Sequence, residues 1–305
     1  MKSLIPIVSL GSVLSSEPVD IRIPLTKNHR EDLVASIIFP WAESGSLNVT
    51  LTSYNHSIVT AVRTSAEVPH MLFHDSRDSS RVRRVEDESM RIRERRTNST
   101  NFSFLGIGLG SAITQSLGSA AVLRYGDDRA QLLLGSSLAT FNESCMPNSL
   151  MTVNKTELDL QGSSIVIAGL YLGTFPIKIR SGPSDRAMVP ETIFERLVHM
   201  ISFLGGAVLV PRRPYARVRF TNCTRNTFRY LPDLEINLGR ENHRFSILPE
   251  DYLQNNESNN TCEMRISSAV SIAPEIWLNP LFLVDTNVRF NDNYLIDFCE
   301  SNGNF

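Results

Sequence analysis

Three sets of residues in this 305-residue chain have the types and spacing to do or to receive chemistry. Cys145, Cys223, Cys262 and Cys299 are an even set with no Cys-x-x-Cys pair. That spacing argues against zinc; in an oxidising compartment it makes two disulfides, with three pairings open. Asn48, Asn55, Asn98, Asn101, Asn142, Asn154, Asn256 and Asn259 each begin Asn-x-Ser/Thr without a central proline, the acceptor pattern for N-glycosylation on surface loops. Asn222 begins a ninth, in which a disulfide at Cys223 would compete with glycan transfer. Arg81-Val82-Arg83-Arg84 and Arg93-Glu94-Arg95-Arg96 are clusters of the kind secretory processing proteases cut, in a stretch that reads first as a solvated charged loop.

Other constellations are missing. His29, His56, His70, His74, His199 and His243 are scattered without a His-x-x-x-His pair, so no metal site is expected. Gly106-Ile107-Gly108-Leu109-Gly110 lacks the strand-to-helix context of a dinucleotide fingerprint and has no Gly-Lys-Ser/Thr, so no cofactor is expected. There is no Gly-x-Ser-x-Gly elbow. Thirty Lys and Arg against 32 Asp and Glu leave a net charge of −2, which gives no field for steering onto nucleic acid. No apolar run reaches about 18 residues, so no membrane span is expected.

The elements that would position these residues are mostly strands. Residues 1–16 have a positive start, a short apolar stretch and small residues at Ser15 and Ser16, the layout of a secretory signal peptide. Secretion, glycans and disulfides agree with one another. Leu47–Thr52, Ser57–Val62, Ser164–Ala168 and Phe175–Ile179 read as strands. Residues 74–101 alternate Arg with Asp and Glu and hold almost nothing apolar, which predicts a mobile, disordered surface loop. Pro190 opens a helix that puts Ile193, Leu197 and Met200 or Ile201 on one face. The fold class expected is all-β, mainly β with few short helices.

Several segments, taken in order, resemble the pepsin-like aspartic peptidase family (peptidase A1). Ile179-Arg180-Ser181-Gly182-Pro183-Ser184, followed by Met188-Val189-Pro190 and a helix, is similar to the family's second active-site loop. Pro232–Leu238, Phe245–Pro249 and Asp251-Tyr252-Leu253 are similar to the strands and Pro-x-x-Tyr turn that follow it. Trp277-Leu278-Asn279-Pro280-Leu281-Phe282-Leu283 to Phe298 resembles the closing block. Phe104–Gly110 matches a Gly-rich segment of the first half, and Val62-Arg63-Thr64-Ser65-Ala66-Glu67 is placed on the first Asp-Thr-Gly-Ser-Ser loop. Cys223 and Cys262 flank their block as the family's C-terminal disulfide does; closing that loop of about 40 residues contributes about 3 to 4 kcal/mol.

The resemblance implies a bilobal pepsin-like acid protease fold with a shortened N-terminal lobe over 17–139 and a C-terminal lobe over 140–305. Only 40 residues separate Arg63 from Phe104, few for the family's strands plus its substrate-covering hairpin, and no Tyr-Gly signature occurs there. It also implies that the two catalytic aspartates are replaced by Arg63 and Arg180, flanked by Thr64 and Ser65 and by Ser181 and Gly182. Arginine stays protonated and cannot share a proton as a carboxylate dyad does. Two guanidinium groups about 4 Å apart would repel by about 4 kcal/mol at an effective dielectric near 20, so either Glu67 and Asp185 or a bridging ligand carboxylate pairs with them, or the shortened lobe no longer brings the two loops together. Asp185 is the one residue placed to rescue a dyad; Asp75 and Asp78, each followed by Ser, would serve only in another register. The function implied is a secreted, monomeric, non-catalytic homologue whose groove takes a peptide or protein ligand. The alternative is an active aspartic endopeptidase hydrolysing peptide bonds.

Overall fold

The computed structural model describes residues 20–28, 32–93, 103–125, 129–154, 160–167, 169–179, 187–202, 207–212, 215–221, 223–238, 243–256, 259–269, 275–279, 281 and 286–303. The expected signal segment, Asn98, Asn101, Asn222 and the stretch from Arg180 through Ser181 and Gly182 to Asp185 lie outside the described residues.

Apolar residues recur at every second position of the first strands. β1 (Ile21–Lys27) buries Ile21, Ile23 and Leu25, and β2 (Leu33–Ile38) buries Leu33, Ala35 and Ile37, the period of strands with one face on a core. β3 (Ser46–Thr52), β4 (Ile58–Thr60), β5 (His70–His74), β6 (Val82–Glu86), β7 (Arg91–Arg93) and β8 (Phe104–Gly106) follow. α1 (Ala112–Leu117) begins where the Thr114 amide donates to Ser111 Oγ and ends at Gly118 with φ 80°. β9 (Ser119–Tyr125) and β10 (Arg129–Leu134) form a hairpin, and α2 (Leu138–Glu143), capped by Ser137, leads to β11 (Met151–Asn154).

The second half continues with β12 (Leu160–Ile167), β13 (Leu170–Ile179) and β14 (Ala187–Pro190). The expected helix is α3 (Glu191–Ile201), which buries Ile193, Phe194, Leu197 and Ile201 on one face. Then come β15 (Ala207–Arg212), β16 (Tyr215–Thr221), β17 (Leu234–Leu238), β18 (His243–Ile247), α4 (Pro249–Tyr252), β19 (Leu253–Asn256), β20 (Thr261–Met264), β21 (Ile266–Ala269) and β22 (Ile276–Leu278). A hairpin of β23 (Thr286–Asn291) and β24 (Leu295–Glu300) ends the described chain.

These strands make two sheets. One has the order β18-β17-β12-β13-β22-β14-β21-β16-β20-β19, with β15 on β16. The other runs β11-β24-β23-β9-β10-β1-β2-β3-β8-β4-β7, with β5 on β2 and β6 on β5. β11, β23 and β24 therefore lie in the sheet built mainly from the first half, and the lobe boundary expected at 139/140 is crossed by them. The pairing is apolar in register: Val288 and Phe290 of β23 face Val122 and Ala120 of β9. One core cluster spans strands of both sheets. A smaller one, on the opposite side of the β9–β10 hairpin, holds Leu123, Leu133, Phe141 and the Cys145–Cys299 disulfide. The second disulfide is Cys223–Cys262.

The Arg-rich segment is structured as far as Arg93, which corrects the expectation of disorder over 74–101; residues 94–101 lie outside the described set. β5 and β6 form a hairpin with His74 opposite Val82. Val85 and Met90 supply the inward contacts, while Arg81–Asp78 and Arg84–Glu86 ion pairs stay at the surface. Asp87 accepts from the amide and hydroxyl of Ser89 and shapes the turn into β7. Few apolar residues suffice because the hairpin buries only one face.

Candidate functional site

Parallel pairing is rare here and occurs in a repeated scheme. β3 is parallel to β8, β8 antiparallel to β4, and β4 parallel to β7. β13 is parallel to β22, β22 antiparallel to β14, and β14 parallel to β21. The registers correspond as well. Leu51 faces Leu105 and Ile58 faces Phe104 in the first motif; Ile179 faces Leu278 and Met188 faces Trp277 in the second. Counting from these pairs, Leu51-Thr52-Ser53-Tyr54 corresponds in sequence to Ile179-Arg180-Ser181-Gly182.

The loop joining β3 to β4 is held against the glycines of the first motif. Ile107 and Gly108 amides donate to the Thr52 and Tyr54 carbonyls at 2.9 Å each, and the Gly106 amide donates to Ser57 Oγ at 3.2 Å. A Cβ on Gly106 would lie 2.3 Å from the His56 carbonyl oxygen, and one on Gly108 would lie 2.0 Å from that of Ser53. The glycines therefore permit backbone to pack on backbone. Ser53 Oγ donates to Asn279 Oδ1 at 3.2 Å across 226 residues, and the same oxygen accepts the Leu281 amide. That buried contact joins the two motifs. Outside it, Tyr54 and His56 stack with centroids 5.1 Å apart, and both rings approach Phe104. The Thr52 hydroxyl donates to the Leu105 carbonyl. The loop thus offers hydroxyls, a phenol and an imidazole but no carboxylate.

No protein-family model matches the chain, and no curated protein matches it. Solved structures do match, 195 chains in all. Among them is the crystal structure of aspartic proteinase from Irpex lacteus, with a TM-score of 0.60 over 93% of this chain and 98% of that one. The chain has a pepsin-like aspartic proteinase fold. At 9% identity the likeness is one of fold alone.

Within that pepsin-like fold the sequence candidates are dispersed. Arg63 does not sit on the β3–β4 loop; it follows β4, bridged to Ala42. Its Nε donates to the Ser65 carbonyl at 2.6 Å and its Nη2 to the Glu67 carbonyl, so it braces its own exposed loop. Glu67 meets it through the backbone. Thr64 is fixed to the Trp41 carbonyl through both its amide and its hydroxyl. Asp75 is buried at the end of β5, where the Arg77 amide donates to it, and the Ser76 amide ties this hairpin to Arg22 of β1. Asp78 is exposed; hydrogen bonds from the Ser80 hydroxyl and amide hold its carboxyl below the usual range. Asn48, Asn55, Asn142, Asn256 and Asn259 are exposed, and Asn154 lies in β11.

Sequence reasoning missed Thr52, Ser53 and Asn279. The alternation Leu47-x-Val49-x-Leu51 carried a signal for the first two, since it matches the alternating approach to Ile179. Among the described residues, no group of three or more His, Cys, Asp or Glu could hold a metal, and no helix is long and apolar enough to cross a membrane.

Proposed function

We propose that this protein is a secreted, non-catalytic homologue of the pepsin-like aspartic peptidases that binds peptide or protein segments in the groove between its two motifs. The observation that supports the reading is the register correspondence, by which Thr52 and Arg180 are counterparts in sequence and become the candidate dyad stations. Peptide hydrolysis by this fold needs two carboxylates sharing a proton, one as base toward water and one as acid toward the scissile carbonyl. A threonine hydroxyl that donates to the Leu105 carbonyl and an arginine are neither of them a carboxylate and supply neither function. With Arg63 braced in its own loop, the expected repulsion between two arginines does not arise. The exposed acceptor asparagines and two disulfides support a secretory route.

The test is incubation with a quenched-fluorescent peptide library from pH 2 to 7, with and without a statine-type inhibitor, alongside titration with short peptides. Saturable binding without turnover is expected. Inhibitor-sensitive hydrolysis that disappears in Asp185→Asn would establish the endopeptidase instead.

A further inference from the structure

We propose that Asn55 carries an N-linked oligosaccharide that lies on the Tyr54–His56 ring pair and gates the groove. The inference rests on the secreted, groove-binding reading above and concerns how that groove is regulated. Asn55-His56-Ser57 places an acceptor inside the loop between β3 and β4, two residues from the Ser53 hydroxyl that touches the other motif. Asn55 is exposed. Its Oδ1 lies 3.2 Å from His56 Nδ1, and Nδ2, the atom that bears the sugar, is outside that contact.

His56 is in turn stacked on Tyr54 at an interplanar angle of 17°, and Phe104 closes the group. Both Tyr54 and His56 are half-buried. They give the C–H face of a first sugar an apolar surface while its hydroxyls stay in water. A glycan anchored there covers the loop that meets the second motif through Ser53 and Asn279. Peptide then enters only molecules in which this acceptor is unmodified or trimmed.

The modification must precede folding of the loop. Nδ2 attacks C1 of a lipid-diphosphate-linked oligosaccharide, the C1–O bond to phosphate breaks, the lipid diphosphate leaves with the electron pair, and Nδ2 loses a proton. The transferase reads the Ser57 hydroxyl, which after folding is 1% exposed and accepts the Gly106 amide.

Expression of the full chain in a secretory eukaryotic host, with enzymatic deglycosylation in heavy-oxygen water and peptide mapping, reads occupancy at each acceptor. His56 reactivity toward diethyl pyrocarbonate and retention of a random octapeptide pool are then compared among wild type, deglycosylated protein and Asn55→Gln. Expected are a marked Asn55, His56 modification at least tenfold faster without the sugar, and at least tenfold greater peptide retention by Asn55→Gln. An unmarked Asn55 beside marked Asn48 and Asn142 would overturn the gate and leave secretion standing. If no acceptor is marked, the secretory reading falls with it. A marked Asn55 with unchanged His56 reactivity would overturn the placement of the sugar on the rings.

Discussion

The two parallel-strand motifs share a hydrogen-bonding scheme and differ in what closes it. After Leu105 the first has Gly106, against which the His56 carbonyl packs closely; after Leu278 the second has Asn279, whose side chain accepts from both Leu281 and Ser53. Phe104 meets Tyr54 and His56, whereas its counterpart Trp277 donates to Glu275 at 2.5 Å, and Glu275 also pairs with Lys178 at 2.6 Å. One motif is closed by backbone and rings, the other by an amide and charges. Main-chain pairing fixes the shape of the fold and places no demand on the side chain at the station where chemistry would occur.

The sharpest way to break that contrast is to add a methyl group to the backbone closure of the first motif. Gly108→Ala, with its Cβ 2.0 Å from the Ser53 carbonyl, should cost more than about 4 kcal/mol or prevent folding, as read by urea denaturation. A loss under about 1 kcal/mol would mean that the backbone packing is not as close as described. Next comes the Asp32–Arg265 pair, 2.7 Å apart and buried, which joins β2 to the turn between β20 and β21. Asp32→Ala removes a carboxylate from a buried guanidinium and should cost about 3 to 5 kcal/mol. Asp32→Leu with Arg265→Met should recover most of it. If the single change costs nothing, this pair does not hold the two halves together.

Asn279→Ala should cost about 1 to 2 kcal/mol, since it orphans the Leu281 amide and the Ser53 hydroxyl. Combining it with Ser53→Ala should give a sum short of additive; strict additivity in the double-mutant cycle would separate the two motifs. The smallest effect belongs to Asp20, whose carboxyl is pushed up, chiefly by burial and against the pull of Arg22 and Arg77, with Asp75 and Glu143 adding to the rise. A raised carboxyl favours the folded state when protonated. Its contribution is present below the ordinary aspartate range and is lost as pH rises through the folded value. Asp20→Asn should therefore stabilise slightly at pH 7, by less than about 1 kcal/mol, and change nothing near pH 3.

Periodicity located α3 and the strand Leu47–Thr52, because one-sided burial writes itself into local spacing. The register pairs place the counterpart of Ile179-Arg180 at Leu51-Thr52, eleven residues before Val62-Arg63. Val62-Arg63-Thr64-Ser65 resembles a motif in letters, but Arg63 braces a turn against Ser65 and Glu67, while the alternation before Thr52 marked the strand end. Charge density in 82–93 read as disorder because composition averages over residues, whereas Val85 alone anchors the buried face of β6.

By itself the sequence determined the strand-rich composition, the even set of cysteines, the acceptor asparagines and the absence of an aspartate at 180. Tertiary structure decided that Cys145 pairs with Cys299, 154 residues away, that β23 lies on β9, and that Ser53 meets Asn279. A period of two tells which face of a strand is buried but not which distant strand covers it. That choice is made by many apolar registers packing at once.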